Sequence, residues 1–228
     1  NVNDVIKPVL RGRDIIPWFG NSDDCYLIGT FPSLSLDIEN YPSIKEHFLA
    51  FGEERLEQSG NKGSRKKTNN KWFETQDAIG YYSEFAKPKI MCQKFQVKPC
   101  FIYDEQGLYC NDSMWIIPTE NKALLEVLNS KMGWWLITKY CTQIQNGCQL
   151  IWKYFGQIPV PELNSIILTE LVEKMIEHTQ KQQIQTNTFI KYINSQFTIE
   201  KLSRKLENWY ELEFSEFIKE LNKIVKQS

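Results

Sequence analysis

An α+β fold is predicted, with a twisted, mostly antiparallel sheet and flanking helices, followed by a helical C-terminal region. Three observations predict it. Up to Pro161, short apolar or aromatic runs of strand length alternate with turn residues. Within that stretch, two segments carry apolar residues at helical spacing. After Pro161 glycine and proline disappear, and apolar residues recur four apart. At 228 residues, with 42% hydrophobic and 13% aromatic content, the chain can build a core for one large domain or for a domain with an appendage.

The elements follow in order. Cys25 to Thr30 reads as the first strand. Pro42 suits a first helical turn, where its missing N–H costs nothing, and Ile44, Phe48 and Phe51 then recur on one face. Lys89 to Phe95, Pro99 to Tyr103 and Met114 to Ile117 read as further strands. Asp104-Glu-Gln-Gly107 lies between two of them as a turn ending in glycine, which predicts a hairpin over Lys98 to Ile117. Thr119 is placed to cap a helix running through Leu124, Leu125 and Leu128 to Tyr140. Pro159-Val-Pro161 bars helix and inner strand alike, so the boundary is set between residues 1–161 and 162–228. Beyond it, Leu163, Ile167, Leu171 and Met175 predict a helix over Glu162 to Gln182. Thr198 with Ile199, Leu202 and Leu206 predicts a second, and Phe214 to Val225 a third.

Composition excludes several function classes. No apolar run reaches the roughly 18 residues that a membrane span requires. The six cysteines never approach to a Cys-x-x-Cys pair, the unit of zinc ribbons and thioredoxin-type sites, and read as reduced, mostly buried thiols of a cytoplasmic protein. The only histidines, His47 and His178, both fall on predicted helices, which argues against a Cys–His nucleophilic centre. The chain opens at Asn1 with no signal-peptide pattern and is expected to be a fragment of something longer.

Charge is distributed unevenly. Ser59 to Trp72 holds Lys62, Arg65, Lys66, Lys67 and Lys71 with no carboxylate, in a chain of formal net charge -1. From Gln58 to Cys100 nine cations face three acids, a net of +6, so the rest of the chain carries -7. A nucleic-acid surface needs such a patch rather than a basic protein. Gly60, Gly63 and Ser64 supply flexibility, and Trp72 and Phe73 close the loop with aromatic faces. A solvated surface loop is the alternative.

Six motifs in a fixed order then carry a resemblance: Lys7-Pro-Val-Leu-Arg-Gly-Arg-Asp-Ile15, Lys71-Trp-Phe-Glu74, Phe85-Ala-Lys-Pro-Lys-Ile90, Gly107-Leu-Tyr-Cys-Asn-Asp-Ser113, Leu124-Leu-Glu-Val-Leu-Asn-Ser-Lys131 and Ile158-Pro-Val-Pro161. Over Lys7 to Pro161 the chain resembles the TaqI-like C-terminal specificity domain, the target recognition domain of fused type IIG restriction-modification enzymes. Leu202 to Lys223 is similar to the extreme C-terminus of the same enzymes.

The resemblance implies a division of labour. An upstream domain of the same chain transfers a methyl group from S-adenosylmethionine to adenine N6, often beside a nuclease domain that uses Mg2+, while the C-terminal part selects the sequence in duplex DNA. This chain lacks the Asn-Pro-Pro-Tyr run and the glycine-rich methyl-donor loop of that chemistry, so it is expected to catalyse nothing and to hold no cofactor or metal. Isolated, it is expected to bind DNA weakly and with little sequence preference. The DNA contacts expected from residue chemistry and family position are Arg11, Arg13, Lys62, Arg65, Lys66, Lys67, Lys71, Trp72, Lys87, Lys89, Gln93 and Lys94. Lysines serve phosphates, arginines can also chelate guanine O6 and N7, and glutamine can pair with adenine N6 and N7. Two alternatives stand beside this reading. One is a helical docking module of a multidomain enzyme; the other is a metal-dependent nuclease built on the acid-x-Lys pair Glu120 and Lys122.

Overall fold

The computed structural model describes residues 4–22, 25–163, 166–197, 199 and 201–225. Its contacts divide the chain into two compact units, Asn1–Thr169 and Glu170–Ser228. The first unit is α+β. Its strands are β1 (Ile6–Leu10), β2 (Ile15–Ile16), β3 (Phe19–Gly20), β4 (Tyr26–Ile28), β5 (Lys89–Gln93), β6 (Phe95–Gln96), β7 (Phe101–Asp104), β8 (Tyr109–Cys110), β9 (Met114–Pro118), β10 (Thr142–Ile144) and β11 (Gly147–Gln149). Its helices are α1 (Pro42–Leu49), α2 (Glu53–Leu56), α3 (Ala123–Asn129), α4 (Lys131–Tyr140) and α5 (Trp152–Phe155).

Among the described residues the strands form four small sheets, β4-β1-β8, β7-β5-β9, β10-β11-β6 and the pair β2-β3, and every pairing is antiparallel except β1 with β8. The centre is β5, whose Ile90, Met91 and Cys92 are wholly buried between β7 and β9. Leu10, Ile15, Met91, Ile102, Leu108 and Met114 make one core cluster; Val5, Ile38, Ile44 and Phe73 make another; Phe31, Phe85 and Tyr109 make a third.

Three expectations are corrected. The hairpin over Lys98 to Ile117 does not form: β7 and β9 flank β5 instead of pairing, and the chain between them supplies β8 to another sheet. Asp104 drives this exit. Its carboxylate accepts hydrogen bonds from the backbone N–H of Gln106 and Leu108 at 2.9 Å each and from the Lys89 ammonium, so the turn is bound to β5. The run Lys89 to Phe95 splits at Lys94, whose N–H donates to Ser113 while its carbonyl accepts from Leu150, sending β6 toward β11. The helix expected over Thr119 to Tyr140 is two. Ser130 caps α4 by accepting from Gly133 N–H at 2.9 Å, and Gly133 packs so tightly that a Cβ there would lie 2.0 Å from the Val127 carbonyl. Thr119 caps indirectly: its Oγ1 accepts from Asn121 N–H, and Asn121 Oδ1 from Ala123 N–H at the start of α3.

The second unit comprises most of α6 (Ile166–Gln196), α7 (Arg204–Glu207) and α8 (Phe214–Val225). Val172, Thr186, Ile193, Leu206 and Leu221 are its buried positions, and Phe189 packs against Trp209 and Phe217 with ring centroids 4.3 and 5.8 Å away. Helix α6 is longer than Glu162 to Gln182, and the apolar row that predicts it does not face the core: Leu171 and Met175 are exposed while neighbouring Val172 is buried. Ser203 caps α7 by accepting from Leu206 N–H; Thr198, the expected start of that segment, lies outside the described residues. Among the described residues no helix is long and apolar enough to cross a membrane. All six cysteines are free thiols, with Cys92, Cys141 and Cys148 buried.

Candidate nucleic-acid interface

After β1 the backbone turns through Gly12–Asp14 as a 3-10 helix, which sets Arg11 and Arg13 on either side of Gly12 in the chain and brings both against Asp14. Asp14 binds Arg11 in two-pronged fashion, accepting from Nε at 2.5 Å and Nη2 at 3.1 Å, and also accepts from the Arg11 backbone N–H at 3.2 Å. Burial works to raise the Asp14 pKa, but the hydrogen bonds and charge of Arg11, with Arg13 adding to them, hold it below the ordinary carboxylate value. Arg13 is only loosely engaged, 3.8 Å from Asp14 with its side chain 74% exposed.

The basic loop is folded. Gly60 and Gly63 take positive φ, the conformation that suits glycine, and the backbone N–H groups of Arg65 and Thr68 donate to the carbonyls of Glu57 and Gln58. Buried Gln58 ties the loop's far end by donating to Lys71 O and Glu74 O. At its middle sits Arg65, whose guanidinium donates to Leu56 O at 2.7 Å, Glu74 O at 2.9 Å and Trp72 O. Burial lowers its pKa. Arg65 is therefore corrected from a guanine reader to the cross-brace of its own loop, because all three of its guanidinium nitrogens are anchored to carbonyls of that loop and its flanks, using three of its five N–H donors. Trp72 packs edge-on to Phe48 and Phe73 beside a core cluster, which makes it a packing residue rather than a stacking platform. Lys71 reaches back to Leu36 O at 2.9 Å. Lys62, Lys66 and Lys67 are exposed, and no ion pair holds them among the described residues.

The remaining expected residues also separate. Lys89 is wholly buried, its ammonium bound to Asp104 and to Phe85 O, so the expectation of a DNA contact is withdrawn: no phosphate can reach it. Its position in β5 between two strands explains the burial. Lys87 is exposed and paired with Glu84 at 2.7 Å. Lys94 lies 2.6 Å from the exposed Asp112 and 4.4 Å from the Trp115 ring centroid. Gln93, at the end of β5, donates from Nε2 to the Gly12 carbonyl.

What the fold brings together is therefore Arg11, Arg13 and Gln93. They line a concavity of about 420 Å³ with Gly12, Phe95, Asn111 and Ser113. A second cavity of about 660 Å³ lies across the Asn111–Asp112 turn, walled by aromatic residues including Tyr81, Phe85 and Trp115, with Lys94 at its lining. Sequence reasoning missed Gly12, Phe95, Asn111 and Ser113. Two of the quoted motifs contain three of them, Gly12 in Lys7–Ile15 and Asn111 and Ser113 in Gly107–Ser113, and motif membership was the signal that could have found them. Lys122, offered to a nuclease reading, pairs with Glu105 at 3.2 Å and lies over the Tyr103 ring, while Glu120 is exposed at the surface.

Comparison with known proteins adds two family matches. Residues 162–228 match a domain of unknown function (DUF8810). Curated proteins yield no match to this chain. Residues 35–160 match the TaqI-like C-terminal specificity domain, a span that holds the basic loop, β5 to β9 and the Asn111–Ser113 turn, and leaves Arg11 and Arg13 ahead of it. That match covers more than half of the chain, and the chain belongs to the TaqI-like C-terminal specificity domain family.

Proposed function

We propose that this specificity domain binds duplex DNA and selects its sequence for an adenine-N6 methyltransferase domain upstream in the same polypeptide. The observation that carries the reading is the ordered basic loop, which displays Lys62, Lys66 and Lys67 without a carboxylate partner among the described residues. Exposed ammonium groups on a fixed backbone suit a phosphate row, where each contact releases condensed counterions. The concavity of Arg13 and Gln93 supplies the other half of recognition, donors and an acceptor of the kinds that read base edges. S-adenosylmethionine, and Mg2+ where a nuclease accompanies it, belong to the rest of that polypeptide, since this chain has neither the adenine-pocket run nor the methyl-donor loop. Titration of a fluorescent duplex at 50 and 200 mM salt tests the reading: binding should weaken steeply with salt, and a chain that leaves the duplex free at 50 mM refutes it.

A second reading concerns Glu170–Ser228 alone. It is a separate compact unit with its own family match, and its α6 exposes Leu171 and Met175, one turn apart on one face of the helix. Such a face suits docking on the methyltransferase domain. Loss of co-purification with that domain on replacing the two by serine would support it, and unchanged co-purification would refute it.

A further inference from the structure

Gln93 differs from an ordinary strand glutamine in one respect. Its carboxamide is clamped, with Nε2 donating to the carbonyl of buried Gly12 from a turn 81 residues away in sequence. The clamp uses one N–H. It leaves the second N–H and Oε1, which accepts no hydrogen bond among the described residues, at the lining of the concavity that Arg13 shares. An acceptor and a donor side by side on a rigid amide complement adenine N6–H and N7 in the major groove. Preorganisation matters, because a free glutamine must lose its rotamer freedom on binding whereas a clamped one has lost it in folding.

The clamp depends on glycine at position 12. A Cβ there would lie 2.9 Å from Gln93 Cγ and 2.9 Å from Nε2, so any larger residue displaces the amide from its seat. The atoms displaced, Cγ, Cδ and Nε2, all belong to the one half-buried Gln93 side chain, which yields by changing its χ1 rotamer while the backbone stays in place. We propose that Gly12 is a positioning residue for Gln93, and that the two together form an adenine-reading element beside Arg13. The proposal rests on the DNA-binding reading above and assigns its sequence selectivity; the exposed lysines hold phosphates and carry none. This replaces the little sequence preference expected of the isolated chain with a definite preference for one adenine edge.

An atomic substitution in the DNA tests it without knowledge of the target site. An alternating d(A–T) duplex presents an adenine edge in every register, and replacing each adenine with 7-deazaadenine removes N7 while keeping the sequence. The wild-type chain should bind the natural duplex roughly five- to 150-fold more tightly than the 7-deaza duplex at the same salt. Gln93→Met, which keeps the volume and removes both hydrogen-bonding groups, should bind the two alike, and no more tightly than the wild type binds the 7-deaza duplex, where the adenine N6–H can still reach Oε1. Gly12→Ala, with Gln93 intact, should do the same while keeping the wild-type melting curve; a merely structural role for Gly12 would lower binding to both duplexes equally. Equal wild-type affinities overturn adenine reading while DNA binding stands. Discrimination that survives Gly12→Ala but not Gln93→Met overturns the positioning role alone. A wild-type chain that binds neither duplex refutes the DNA-binding reading itself and takes this inference with it.

Discussion

Removing the three exposed loop lysines should flatten the salt dependence of DNA binding without unfolding the loop. Of the five loop cations, Arg65 is spent on three carbonyls and Lys71 on Leu36 O, which leaves Lys62, Lys66 and Lys67 to face phosphates. At about 0.9 per neutralised phosphate, three contacts contribute about -2.7 to the slope of log affinity against log salt. Between 50 and 200 mM salt that amounts to about 40-fold more weakening for the wild type than for Lys62→Ala/Lys66→Ala/Lys67→Ala. Because these side chains are exposed, the triple variant should melt within about 1 kcal/mol of wild type. Fluorescence anisotropy across a salt series reads the slope, and chemical denaturation reads the stability. Arg65→Ala is the counterpart: it removes charge-assisted hydrogen bonds from a folded loop and should cost about 2–4 kcal/mol. Its effect on DNA should appear through a loosened loop rather than at one base position. A triple variant with the wild-type slope refutes the reasoning and places the phosphate contacts elsewhere on the chain.

Three further outcomes test the fold that presents this surface. Asp104→Ala leaves the Lys89 ammonium buried without its carboxylate and frees the N–H groups of Gln106 and Leu108, so denaturant unfolding should show a loss of about 3–5 kcal/mol; a loss below 1 kcal/mol contradicts it. Gly133→Ala should destabilise by about 1–3 kcal/mol, although helix propensity alone favours alanine by about 1 kcal/mol, because the new methyl group meets the Val127 carbonyl; a raised melting temperature contradicts it. The Asp14 pKa lies below its unfolded value, so the stability it contributes is complete above about pH 4 and is lost as pH falls through the lowered folded value. Asp14→Asn should remove that acid-side loss from a stability–pH profile, and an unchanged profile counts against the Arg11–Asp14 pairing.

The α+β class, the strands around Lys89–Gln93 and Met114–Pro118, helix α1 and the helical tail are legible in the amino-acid order, because these rest on local periodicity, on a first-turn proline and on the absence of glycine and proline after Pro161. The sequence also located the concentration of positive charge and, through the order of its motifs, the family. It could not separate the cations by role. Lys87 and Lys89 are two apart in one motif, yet one is exposed and the other is sealed between β7 and β9, a difference that arises only when distant strands pair. Arg65 looks like its lysine neighbours until three carbonyls converge on it, and a flexible-looking Gly/Ser loop becomes ordered because Gln58 and Arg65 bind its backbone. Likewise β7 and β9 satisfy every local requirement of a hairpin but each pairs with β5, since Asp104 spends the turn's N–H groups and the Lys89 charge on one carboxylate. The seat of Gln93 against Gly12 joins residues 81 apart in sequence. Such contacts are set by the competition of long-range partners for the same donors and acceptors, and no local window of sequence contains both sides of that competition.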